Sequence, residues 1–152
     1  MKKLLLIGLG IFSGLLLFAQ EIEQKADGKY YQSGKLFTGE HKSYNEDAQL
    51  SSVRNFKKGK EDGLSIYYFS NGKKMEQRAY RDGFKDGNWL TWNLKGQKTA
   101  EANYVNDLKH GKWMVFDDKG NKRYEMHYDH GKKVGTWLMW DENRKLTSEK
   151  KF

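Results

Sequence analysis

The 152-residue chain carries 28 basic against 20 acidic side chains, a formal charge of +8, with 37% hydrophobic and 14% aromatic residues, 16 glycines, and neither proline nor cysteine. That length suits one small folded domain rather than two, and the lack of cysteine excludes disulfide staples, cysteine-ligated metal and a lipid-modified cysteine. Abundant aromatics together with glycine point to strands joined by tight turns and away from helical coiled coils.

The first element in the chain is set apart from the rest. Lys2 and Lys3 precede an apolar run from Leu4 to Phe18, and Ala19 supplies a small residue before polar sequence begins. This is the layout of a secretory signal peptide, so residues 1–19 are expected to be removed on export to the periplasm or beyond. The run falls short of the about 20 apolar residues that span a bilayer, and no basic residue directly follows it, which makes an uncleaved membrane anchor the lesser reading. Cleavage takes away two lysines and no acid, leaving a net charge of +6. Residues 20–27 then read as a short linker.

From residue 28 to 152 the sequence repeats. A partial unit, 28–38, ends in Gly34, Lys35, Leu36, Phe37 and Thr38, and full units start at Gly39, Gly63, Gly87, Gly111 and Gly135, each 24 residues after the last without insertion or deletion. Other columns keep this phase, as expected of a repeat array. The sixth place holds Tyr44, Tyr68, Trp92, Phe116 and Trp140, and the eighteenth holds Phe56, Tyr80, Tyr104, Tyr128 and Phe152. The third place holds His41, Ser65, Trp89, Trp113 and Trp137, and the tenth holds Ala48, Gly72, Gly96, Gly120 and Arg144.

Each unit reads as a hairpin. A short aromatic run such as Trp89 to Trp92 leads into a turn such as Lys95-Gly96, and the following stretch alternates, with Ala100, Ala102 and Tyr104 on one side and Thr99, Glu101 and Asn103 on the other. The side-chain period is two, that of a strand, and polar links such as Arg81 to Asp86 return the chain to the next glycine.

The pattern of a glycine, a tryptophan two places on, an aromatic three further, a turn glycine and then Glu and Tyr resembles the MORN-repeat variant family. It is clearest over Gly87 to Gly111 and Gly111 to Gly135 and extends over roughly Gly28 to Phe152. The resemblance implies an all-β fold, an elongated antiparallel sheet of successive hairpins. It also implies binding roles: other MORN proteins are implicated in scaffolding or membrane association, and some bacterial members of the family are described as antitoxin partners of toxins. Ala48 and Arg144 depart from the turn glycine and Asp107 from the later one, which suggests altered turns or caps there.

Strand spacing sets the expected side-chain geometry. Equivalent residues one two-stranded unit apart lie roughly 9.6 Å from each other, too far to stack, so a continuous stripe needs two alternating columns. The sixth and eighteenth columns are expected to supply it, with Trp92, Tyr104, Phe116, Tyr128 and Trp140 in one stripe flanked by Leu90, Met114 and Leu138. Trp89, Trp113 and Trp137 should then project from the opposite face, either as an aromatic binding strip or as a second small core over glycines and lysine stems.

Catalytic signals are weak beside this pattern. His127 and His130 flank Asp129, yet on one strand they face opposite ways, so no metal site is expected. Glu101, Glu125 and Glu149 form an acidic column at roughly the widest carboxylate spacing used for sugar hydrolysis, but on a polar face with lysines nearby, so ion pairing is the favoured role. Neither catalytic residues nor a cofactor or small-molecule substrate are expected. Lysines 57, 58, 60, 73, 74, 132, 133 and 145, with Arg144, gather in turns, and a basic aromatic surface of this kind suits a protein partner or an anionic lipid or glycan surface. Nucleic acid is disfavoured by export, and Lys150 and Lys151 guard an edge strand.

Overall fold

The computed structural model describes residues 21–152, and the expected signal peptide at 1–19 lies outside them. The described residues form strands and turns without a helix. At the N-terminal end, β1 (Glu23–Gln24), β2 (Tyr30–Gln32) and β3 (Lys35–Leu36) make a small antiparallel sheet. Residues 20–27, expected as a linker, therefore include a paired strand, too short to show any periodicity in the sequence.

The remainder is one large antiparallel sheet of hairpins in chain order. β4 (Gly39–Tyr44) pairs with β5 (Leu50–Lys57), on which β6 (Lys60–Glu61) folds back. β7 (Gly63–Tyr68), β8 (Lys74–Arg81) and β9 (Phe84–Lys85) repeat that arrangement, as do β10 (Gly87–Trp92), β11 (Lys98–Val105) and β12 (Leu108–Lys109). β13 (Gly111–Phe116) with β14 (Lys122–Asp129), then β15 (Lys132–Trp140) with β16 (Leu146–Lys151), complete the array. Apart from the short β6, β9 and β12, which fold back on the strand before them, the strands lie in the sheet in chain order, the arrangement expected of stacked repeats.

Local chemistry explains the turns. In four units the first turn is tied by its leading side chain: Asn93 Oδ1 accepts from the N–H groups of Lys95 and Gln97, both at 3.0 Å, and Asn45, Asp117 and Asp141 do the same for their turns, whereas in the second unit Phe69 leads and Asn71 Oδ1 accepts the Lys73 N–H at 3.0 Å. Ala48 and Arg144, at the glycine position of this turn, adopt φ of 57° and 64°, so the turn survives and the side chains carry left-handed strain. The second turn has positive φ at both central residues, as in Asp82-Gly83 and Asn106-Asp107, the twist that suits a two-residue hairpin. Asp107 replaces glycine there and its carboxylate accepts the Lys85 N–H at 2.7 Å. These second turns also stack: the N–H groups of Gly59, Gly83, Asp107 and Gly131 donate to the carbonyls of Phe37, Glu61, Lys85 and Lys109 in the preceding units.

The sheet is a single layer along most of its length. Among the described residues only Phe37, Phe56 and Tyr128 are buried apolar side chains. Phe37 and Tyr30 pack on Phe56 with ring centroids 5.5 and 4.7 Å away, so the small N-terminal sheet closes that end. Gly59 is where it closes: a Cβ there would lie 2.7 Å from Leu36 Cδ2 and 2.9 Å from the Tyr30 carbonyl oxygen. Elsewhere, rings packed across strands replace an enclosed core.

Candidate interaction surface

One recurring irregularity decides which side chains share a face. In all five hairpins the pairing register shifts beside the sixth place, at Ser43/Tyr44, Tyr67/Tyr68, Thr91/Trp92, Val115/Phe116 and Met139/Trp140. In the third hairpin Trp92 pairs with Lys98 but Thr91 with Ala100, which leaves Thr99 as the extra residue of a β-bulge. A slip of one residue exchanges the faces of everything beyond it. A regular hairpin would have placed Tyr104 on the side of Trp92. The bulge instead sets Tyr104 opposite Gly87, on the side of Trp89.

The expected stripe of Trp92, Tyr104, Phe116, Tyr128 and Trp140 is therefore corrected. The rings that meet are those of the third and eighteenth places, in the unbroken order Tyr80, Trp89, Tyr104, Trp113, Tyr128, Trp137 and Phe152, with successive centroids 4.7–5.5 Å apart. Tilted and edge contacts at such distances are favourable for aromatic quadrupoles. Trp89, Trp113 and Trp137 thus share a face with the eighteenth-place rings and do not oppose them. Each indole Nε1–H also donates to a backbone carbonyl of the preceding unit, that of Ala79, Asn103 or His127, at 2.9–3.0 Å.

The repeat glycines fit this ladder. Gly39, Gly63, Gly87 and Gly111 face Phe56, Tyr80, Tyr104 and Tyr128 across the hairpin, and Gly135 accepts the Phe152 N–H at 3.0 Å. At Gly87 both requirements for glycine coincide: φ is +103°, and a Cβ would lie 3.1 Å from that of Ala79.

A lysine sits over each tryptophan of the ladder and the eighteenth-place ring that follows it. Lys85 Nζ lies 4.8 and 5.1 Å from the centroids of Trp89 and Tyr104, Lys109 4.5 and 5.0 Å from Trp113 and Tyr128, and Lys133 4.7 and 5.1 Å from Trp137 and Phe152. The outer surface of the ladder is therefore a row of ammonium groups on aromatic rings, each held by cation–π attraction.

Nearer the N-terminus the same face has different chemistry. Ser65 occupies the tryptophan place and is fully buried, donating to Glu61 Oε1 at 3.1 Å. Arg54 Nε donates to the same oxygen at 3.1 Å and its Nη2 to the Tyr30 hydroxyl at 2.9 Å. The Tyr30 and Glu61 bonds hold the Arg54 guanidinium above its ordinary value against the opposing effect of burial. Arg78 pairs with Glu76 and lies over Tyr67 and Trp89. Tyr80, where cluster meets ladder, has its hydroxyl pushed up to about 12, by burial first and then by the charge of Glu61.

The sixth-place rings lie on the opposite face, beside Leu90, Met114 and Leu138 as expected. Among the described residues no ring pair joins them to one another; Lys74, Lys98 and Lys122 instead approach Trp92, Phe116 and Trp140 with centroid distances of 6.0, 5.5 and 5.2 Å. Tyr44 is exposed and Tyr68 half-buried. Two acids of the repeated column are engaged in ion pairs, Glu101 with Lys98 at 2.6 Å and Glu125 with Lys112 at 3.3 Å and with Lys122. The Lys122 bond holds the Glu125 carboxyl below its usual range.

Sequence reasoning missed Arg54, Glu61, Lys85 and Lys109, and it named Ser65 only as a member of the third-place column and Lys133 only among the basic turn residues. The lysines had a signal, since Lys85, Lys109 and Lys133 share the twenty-third place. In comparisons with known proteins, the MORN repeat variant model matches residues 61–82 and 109–130. Two stretches of the hairpin array thus match MORN-variant repeats, a class consistent with binding. No curated protein matches it significantly.

Proposed function

We propose that the chain is an exported, non-enzymatic repeat protein that binds another protein, or scaffolds it, in the bacterial envelope through the lysine-topped face of β10 to β16. The observation that carries this reading is the row formed by Lys85, Lys109 and Lys133 on the ladder rings. Its spacing follows the repeat, and Lys109 and Lys133 are exposed. Such a track suits a partner with an acidic and partly apolar surface, because charge complementarity steers the encounter while ring edges contribute contact area. Export rests on the pattern of residues 1–19.

The tryptophans belong to the support of this surface, since their Nε1 groups and ring faces are already engaged. Charge reversal is therefore the cleaner probe. A Lys85→Glu, Lys109→Glu, Lys133→Glu variant should keep the strand signal in circular dichroism and lose at least tenfold in saturable binding to a partner captured from envelope fractions. Undiminished capture by the folded variant would remove this face from consideration. The same lysines also favour a second reading, an anionic lipid or glycan surface. Sedimentation with phosphatidylglycerol vesicles, steeply weakened by salt and matched by no protein partner, would select that reading instead.

A further inference from the structure

We propose that His110, Asp129 and His130 form a binding site for one divalent transition-metal ion, zinc above all, at the junction between the third and fourth full units. Stacking of the second turns brings the last residue of one unit beside the twentieth place of the next. At an earlier junction this contact is Asp62 with Asp82, whose N–H donates to Asp62 Oδ2 at 3.0 Å. At the later one the two places hold imidazoles, His110 and His130, with ring centroids 4.7 Å apart.

The Asp129 carboxylate lies against both. Its Oδ1 is 2.6 Å from His130 Nδ1 and 3.4 Å from His110 Nδ1. The His110 Nδ1 atom is buried and makes no hydrogen bond despite that approach, so a nitrogen lone pair or N–H is left without a partner in the middle of the group. One donor atom from each residue lies within 4.8 Å of the others. Tetrahedral zinc with bonds of about 2.0–2.1 Å keeps its ligand atoms roughly 3.3 Å apart, a spacing that His110 and Asp129 already show and that a small swing of the exposed His130 ring completes.

The backbone beneath is fixed. His130 and Gly131 form a two-residue turn with φ of 43° and 87°, and the Gly131 N–H donates to the Lys109 carbonyl at 2.7 Å, next to His110. Two imidazole nitrogens and one carboxylate oxygen favour zinc or its first-row neighbours over calcium and magnesium, which prefer oxygen alone. Three protein ligands leave a fourth position for water. His127, the other histidine flanking Asp129 in the sequence, lies beside Glu125, with Nε2 3.9 Å from its Oε1.

Isothermal titration of Zn2+ into the chelator-treated full chain, made without a histidine tag, tests the site. One ion should bind per chain. His110→Ala, His130→Ala and Asp129→Asn should each weaken binding at least tenfold with unchanged circular dichroism, and His127→Ala should leave it unaltered. Co2+ should develop a visible absorption typical of four-coordinate nitrogen and oxygen ligation, lost in the same three variants. No saturable Zn2+ binding by the wild type, or binding that survives the His110→Ala, His130→Ala double change, would overturn the proposal.

Discussion

At the third place of the repeat the second hairpin carries Ser65 and the fourth carries Trp113; at the twenty-third place of the unit just before each, the corresponding residues are Glu61 and Lys109. Both pairs sit on the same face, in hairpins with the same bulge and the same stacked turn. The N-terminal half fills that face with arginines, a glutamate and a buried serine, whereas the C-terminal half fills it with stacked rings under lysines. Backbone register is thus common property of the array, and the chemistry displayed on it can change from hairpin to hairpin.

Ring removal should separate the halves most sharply. Trp113→Ala deletes contacts with Tyr104 and Tyr128 as well as the indole bond to Asn103, and should cost about 3 kcal/mol in urea unfolding. Ser65→Ala removes one hydroxyl bond and should cost about 1 kcal/mol. Equal losses would erase the distinction.

The charged residues should rank the other way. Glu61→Gln leaves the Arg54 guanidinium, 19% exposed at its side chain, without its carboxylate, a loss of about 2 kcal/mol after allowance for partial solvation. Lys109→Gln removes only a solvent-facing cation from two rings and should cost about 0.5 kcal/mol.

Alkaline pH probes the seam between the halves. Folded Tyr80 keeps its proton up to about 12, above the ordinary value of 10.0. Its contribution to stability is therefore whole below pH 10 and is lost as the pH rises from there towards 12. Melting temperatures measured over that window should fall more steeply for the wild type than for Tyr80→Phe.

Effects on the shared backbone should ignore the division. Ala48→Gly relieves left-handed strain at φ 57° and should stabilise by about 1 kcal/mol, while Gly96→Ala, at the same place two units on, should destabilise by a similar amount.

Much of the fold was legible in the sequence because its period is unbroken. The glycines announced where hairpins begin, and alternation in stretches such as 99–104 announced strands. The face assignment was not legible. It turns on the bulged thirteenth place, occupied by Ser51, Met75, Thr99, Arg123 and Thr147, which share no chemistry that marks a bulge. Counting two residues per repeat of the pleat across that hidden insertion gave the wrong partner for Tyr104 and Tyr128. The histidine pair escaped for a related reason: residues 110 and 130 meet through turn stacking, across different places of adjacent units.

The central claim is that the bulge moves the eighteenth-place rings onto the tryptophan face. Double-mutant cycles on Tyr128 test it directly, using Trp113→Ala and Phe116→Ala as alternative second changes, with unfolding free energies as the readout. The structure predicts a coupling of about 1 kcal/mol between Tyr128 and Trp113 and none between Tyr128 and Phe116. Coupling to Phe116 with none to Trp113 would mean that the hairpins pair without the bulge, and the ladder described above would not exist.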